Sequence, residues 1–96
     1  MAIRFTVVYQ LAVTQEDIPR VAEVWREKIK SAIIEKLTTH PDMYGKPLRR
    51  SLRGYRKLRV GDYRVVFRID MAFVKIFAIA HRSVVYKVME QRARGV

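Results

Sequence analysis

The chain has 96 residues, 50% of them hydrophobic, and a formal net charge of +11 from 20 Lys and Arg against 9 Asp and Glu. That is enough for one domain, expected to span residues 1–96, and too apolar for a disordered basic tail, so the charge must decorate a folded surface and calls for an acidic partner. With no cysteine there is neither a disulfide framework nor a thiolate metal site, and no apolar run reaches the roughly 20 residues that cross a bilayer, so a cytoplasmic protein without membrane contact is expected.

In chain order, Ile3 to Tyr9 (IRFTVVY) is rich in β-branched and aromatic side chains and reads as a first strand. The opening MAIRFTVVYQLAV carries Arg4 and alternates in character, which argues against a signal peptide. Asp17 is the expected N-cap of a helix, with Pro19 in the first turn, where its missing N–H costs nothing. From there Ile18, Val21, Ala22, Trp25, Ile29, Ala32, Ile33 and Leu37 recur at spacings of three and four, which sets one apolar stripe along a helix over 18–38. A break near residue 21 would divide it into a short and a long helix. Thr38 to Pro41 ends the pattern, and residues 42–54 form a connector punctuated by Gly45, Pro47 and Gly54.

Three strand-like runs follow, Tyr55 to Val60, Tyr63 to Ile69 and Phe73 to Ala80. Gly61-Asp62 separates the first two by the two residues of a tight primed hairpin, and Asp70-Met71-Ala72 makes the next turn. On the middle strand Tyr63, Val65, Phe67 and Ile69 share one face, and Arg64, Val66 and Arg68 share the other. The run FVKIFAIA suits a central strand covered on both sides. Val84 to Arg94 reads as a short amphipathic helix. The fold class is therefore α+β: a mainly antiparallel four-stranded twisted sheet, backed on one face by the long helix and completed by the short C-terminal one.

The densest chemistry lies between Gly45 and Arg68. Nine basic residues stand there (Lys46, Arg49, Arg50, Arg53, Arg56, Lys57, Arg59, Arg64, Arg68) against the single acid Asp62, with Tyr44, Tyr55 and Tyr63 beside or among them. A charged sheet edge that blocks aggregation would need two or three such residues, not nine. Cations interleaved with rings that can stack on bases point to a nucleic acid. His81-Arg82-Ser83-Val84-Val85-Tyr86 follows the most apolar strand, a place where the scaffold fixes side chains in space. From composition alone, His81 and Tyr86 are as readily hydrogen-bonded strand-end residues as catalytic ones. Neither histidine has ligand-type neighbours, the four glycines are scattered singly, and no metal or cofactor site is expected.

The run from Asp42 to Tyr86 resembles the RelE/ParE superfamily of toxin–antitoxin toxins, and its RelE branch more than the other. The resemblance is carried by Gly45-Lys46-Pro47-Leu48, Gly54-Tyr55-Arg56-Lys57-Leu58-Arg59, Gly61-Asp62-Tyr63-Arg64-Val65-Val66-Phe67, His81-Arg82 and Val85-Tyr86. It implies a RelE-like fold and a metal-independent endoribonuclease that enters the ribosomal A site and cleaves mRNA there, by attack of a ribose 2′-hydroxyl on the adjacent phosphate. By position, Arg64 would bind the scissile phosphate, with Lys57, Arg59 and Arg82 completing the cradle. Tyr86 would orient the nucleotide or move a proton, and His81 would serve as acid or base. Lys46, Arg49, Arg50, Arg53, Tyr55, Arg56, Arg59 and Arg68 would hold RNA around the site. Some members carry two lysines where this chain has Tyr55 and Lys57, and others use a carboxylate that this strand lacks. The resemblance also implies a cognate acidic antitoxin, with mRNA and the ribosome as the other partners. Two further readings share these residues: a ParE-like toxin acting on DNA gyrase, and a nucleic-acid-binding module without catalysis.

Overall fold

The computed structural model describes residues 4–94. Ile3, the expected start of the first strand, and the extreme ends of the expected domain lie outside the described residues. The chain begins with β1 (Thr6–Tyr9), a π-helical turn at Val13–Asp17, α1 (Ile18–Arg20) and α2 (Glu23–Ala32), which runs into a second π-helical turn at Ile33–Leu37. Then come α3 (Pro41–Tyr44), β2 (Lys46–Pro47), a 3-10 turn at Arg50–Leu52, β3 (Arg56–Val60), β4 (Tyr63–Asp70), β5 (Phe73–His81) and α4 (Val85–Arg94).

The expected helix is split where Val21 turns extended, at φ −81° and ψ 134°. Arg26 fastens the break: its Nε donates to Val21 O at 2.8 Å and its Nη2 to Pro19 O at 3.1 Å, so carbonyls at the interrupted helix end still find donors. Asp17 is not an N-cap. Its backbone is already helical (φ −73°, ψ −54°) and its side chain makes no capping bond, because the chain is helical from Leu11 onward. The carboxylate turns inward instead, where it is 4% exposed.

The sheet has five strands in the order β1-β5-β4-β3-β2, with β1 parallel to β5 and the other pairs antiparallel. The four expected strands are β1, β3, β4 and β5. The fifth, β2, comes from the connector, where Lys46 and Pro47 pair with Lys57 and Arg56. Two residues are too few to leave a periodic signal, and Pro47 is tolerated because β2 is an edge. The hairpin is tight as expected: Val60 pairs with Tyr63 across Gly61-Asp62. Gly61 has φ +59°, and a Cβ built there would fall 2.6 Å from Cζ3 of Trp25. The next turn is shorter than expected, since Asp70 pairs with Phe73 and leaves only Met71 and Ala72 in the loop. Met71 takes φ +54° there without being glycine. A bulge places Val66 opposite Ala78 but Phe67 opposite Ile76, so Phe77 is the extra residue on β5.

Strict alternation on β3 and β4 divides the sheet into two apolar layers. Leu58, Val65, Phe67, Val74, Ile76 and Ile79 pack with Val13, Val21, Ile29, Ile33 and Leu37 from the first helices. On the other face Val66 and Ala78 pack with Leu48 and Leu52 of the connector and with Val85 and Met89 of α4. Each large side chain so buried stabilises the fold by about 1.5–3 kcal/mol. The second layer is small, so much of that face is left to polar residues.

Candidate functional site

Register decides what those polar residues are. Lys57 shares the α4 face with its partner Val66, and Arg59 lies directly opposite Arg64 on the same face. The pairings Lys46↔Lys57 and Arg68↔Lys75 put two further like-charge couples there. Like charges directly opposite on a sheet are destabilising. Three such couples on one face therefore make a surface whose repulsion an anion would relieve. Lys75 is bridged to Asp70 at 3.0 Å, and that hydrogen bond chiefly holds the Asp70 carboxyl below the usual carboxylate range. Among the described residues the other five cations have no salt-bridge partner.

Where the strands of this face meet the first turn of α4 there is an open cleft of about 370 Å³, lined by Lys57, Arg64, His81, Arg82, Ser83 and Tyr86. Val85 is buried against the sheet and Tyr86 beside it is 46% exposed. The Lys57 ammonium donates a hydrogen bond to the Tyr86 phenol oxygen, which fixes the phenol while leaving the ring accessible. Arg64 is braced by one nitrogen only: its Nη1 donates to Gly61 O and to Tyr63 O, both at 2.9 Å. Arg82 is tied to the hairpin tip through its backbone N–H, which donates to Asp62 O at 2.8 Å, and its Nε stands 3.6 Å from Asp62 Oδ1.

His81 stands at the rim. It pairs with Tyr63, so its ring points to the α2 face, where it lies edge-on to the Tyr63 ring at 6.0 Å, with Trp25 beyond at 5.6 Å. Both the hydroxyl (2.8 Å) and the N–H (3.1 Å) of Ser83 address Nδ1. That pattern assigns the proton of the neutral ring to Nε2.

A second hollow of about 460 Å³ shares Lys57 and Tyr86 with the cleft and continues along Lys46, Arg49, Arg50, Ser51 and Glu90. Arg50 holds φ +56°, a conformation that costs a non-glycine residue energy. Ser51 Oγ donates to Glu90 Oε1 at 2.6 Å and links the connector to α4. Arg68 lies over the Tyr55 ring at 5.9 Å, and Tyr55 in turn packs edge-on against Phe77 at 5.0 Å, so Tyr55 serves the small apolar layer as well as the surface. Arg53 is exposed just past the 3-10 turn. Arg56 stands apart from the set: it pairs with core-facing Phe67, and its Nη1 donates to Gly45 O at 2.9 Å and Asp42 O at 3.3 Å. It fastens the connector on the opposite face.

Of the thirteen residues expected in the site, the cleft gathers Arg64, Tyr86, His81, Lys57 and Arg82, and the hollow adds Lys46, Arg49 and Arg50. Glu90 was not expected; it is brought in by Ser51, 39 positions away, for which no local pattern exists. Ser83, by contrast, lies within the strand-end segment singled out in the sequence and contacts His81 two residues before it. Among the described residues no group of His, Asp and Glu is arranged to hold a metal ion.

The family model described as the ParE toxin of the type II toxin–antitoxin system parDE matches residues 10–86. The toxin RelE of Mycobacterium tuberculosis is 39% identical over 95 residues, an alignment covering 90% of this chain and 94% of that protein. The toxin–antitoxin complex RelBE2 of Mycobacterium tuberculosis contains a chain that superposes with a TM-score of 0.77 at 29% identity, covering 84% of this chain and 94% of that one. The RelB–RelE antitoxin–toxin complex of Methanococcus jannaschii shares the fold at a TM-score of 0.63 and 18% identity, over 83% of this chain and 95% of that one. With the family model spanning the hairpin and the cleft, and a RelE toxin alike along nearly its whole length, the chain belongs to the ParE toxin family of type II toxin–antitoxin systems.

Proposed function

We propose that this protein is the toxin of a toxin–antitoxin pair and that it cleaves mRNA in the A site of the ribosome, in the cytoplasm, without a metal ion. The observation that carries the reading is the meeting of Lys57 and Arg64, without salt-bridge partners among the described residues, with a fixed phenol and an open cleft on one face of the sheet. In this reading a ribose 2′-oxygen attacks the adjacent phosphorus and the bond to the 5′-oxygen breaks, leaving a cyclic phosphate and a 5′-hydroxyl. The 2′-hydroxyl must lose a proton and the leaving oxygen must gain one. Arg64, braced through Nη1, has Nε and Nη2 to offer the phosphate, and Lys57 and Arg82 flank it. Fixed cations aimed at developing phosphorane charge need no reorganisation as the reaction proceeds. Tyr86 presents a ring on which a base can stack. His81 stands at the rim of the cleft, with Nδ1 accepting from Ser83 and Nε2–H left free to take part in proton transfer.

Lys46, Arg49 and Arg50 extend the cation track along which the RNA backbone would run. The antitoxin would present acidic side chains to this face, since opposite potentials speed association and remove the repulsion of the like-charge couples. Incubation with translating ribosomes followed by mapping of mRNA ends tests the reading. Breaks confined to the A-site codon are expected. A sulfur placed on the cleaved phosphate should slow the cut with no rescue by a thiophilic metal. Gyrase inhibition without mRNA breaks would replace this reading with the ParE-like one.

A further inference from the structure

A buried charge lies at the far end of α4 from the cleft, and nothing in the cleavage chemistry uses it. The Asp17 carboxylate accepts three hydrogen bonds, from Ile79 N–H at 2.9 Å and from Arg92 Nη1 at 2.7 Å and Nη2 at 2.6 Å. Nη1 also donates to the carbonyl of the bulged residue Phe77 at 2.8 Å. These bonds fall where the sheet lacks them: β1 ends at Tyr9, opposite Ile76, so β5 beyond that point has no neighbouring strand on this side. The turn before α1, the centre of β5 and the last turn of α4 therefore converge on one ion pair. A desolvated carboxylate is tolerated only while paired, so the pair commits α4 to its docked position.

That commitment bears on the cleft. Val85, Met89 and Arg92 follow one another at spacings of four and three, so the two buried residues and the pair occupy one face of α4. Tyr86 lies about 9 Å along the helix axis from Arg92 at 1.5 Å per residue. A helix of ten residues is marginal by itself, and its seating depends on such contacts. We infer that the Asp17–Arg92 pair is a positioning clasp: by pinning the last turn of α4 to β5 it sets the rotation and slide of the helix and so holds Tyr86 against Lys57 in the cleft. Its kinetic consequence rests on the proposed role of Tyr86 in cleavage; its structural consequence does not.

The test uses Arg92→Met, which removes the pair, and Arg92→Lys, which keeps the charge and one prong and serves if the first variant does not fold. In the free protein, Tyr86 ring signals (identified by their loss in Tyr86→Phe) should move and α4 amide exchange should quicken, while sheet amides stay protected. Arg92→Lys should lie between Arg92→Met and the parent. On ribosomes, the single-turnover rate at saturation should fall by an amount on the order of tenfold to a hundredfold, as small misplacements of reacting groups do, with the half-saturating concentration unchanged. The same change made in Tyr86→Ala should add no further loss. Unmoved Tyr86 signals and unchanged α4 exchange would overturn the clasp, as would losses that multiply in the double variant. If the parent cuts no mRNA, the cleavage reading fails and the spectroscopic arm alone decides the clasp.

Discussion

Replacing Gly61 with alanine tests the hairpin that carries Arg64. Gly61 sits at φ +59°, and a Cβ there would meet the six-membered ring of Trp25, 2.6 Å from Cζ3 and 3.4 Å from Cζ2. Left-handed backbone costs an L-residue about 1–2 kcal/mol, and forcing a packed ring aside costs about 1–3 kcal/mol. Gly61→Ala should therefore destabilise the fold by about 2–5 kcal/mol, a large share of a typical total of roughly 5–15 kcal/mol. Urea unfolding read by tryptophan fluorescence suits the measurement, because Trp25 is the only tryptophan. Gly61→Asn separates the two causes: asparagine tolerates the dihedral but still carries a Cβ, so it should keep only the loss due to the Trp25 ring, about 1–3 kcal/mol. An alanine variant within about 0.5 kcal/mol of the parent would refute the close approach of Trp25, the size of effect expected of an unconstrained surface position.

Met71, 89% exposed at φ +54°, carries strain without evident packing, so Met71→Gly should stabilise the protein by about 1 kcal/mol in the same assay. Arg49→Ala should weaken RNA binding to a similar degree across sequences and reduce the slope of log affinity against log salt by about 0.7 per lost single-strand phosphate contact. The Asp70 carboxyl, held down chiefly by the Lys75 hydrogen bond, should titrate below the ordinary carboxylate range by NMR and return towards it in Lys75→Met. Because its folded value is depressed, its contribution to stability is present above the unfolded pKa and fades as pH falls through the folded one.

The sheet was legible because its signals are local. Gly61-Asp62 fixes a hairpin, and the alternation of Tyr63, Val65, Phe67 and Ile69 with Arg64, Val66 and Arg68 fixes which side of it is core. Once the faces are known, the cations on the second face follow, and so does most of the cleft. What the sequence hid depends on residues distant along the chain. Asp17 reads as a cap because acid before a helical pattern usually is one; Arg92, 75 positions later, gives it a buried partner. Arg56 sits within the basic run yet points to the other face, because β3 alternates as strictly as β4. Strand β2 has too few residues to show any period, and the turn of His81 towards Tyr63 follows from its cross-strand register.

The measurement that bears most directly on the proposed function is single-turnover cleavage of a defined mRNA on purified ribosomal complexes by the parent, Arg64→Ala and Arg56→Ala. The parent should cut within the A-site codon. Arg64→Ala should lose about 10²–10³ in rate, as when one preorganised charge-stabilising donor is removed. Arg56→Ala, whose side chain holds the Gly45 carbonyl on the opposite face, should cut at nearly the parental rate while being less stable. Equal rates for Arg64→Ala and the parent, or loss of cleavage on Arg56→Ala without unfolding, would contradict the assignment of the chemistry to the α4 face of the sheet.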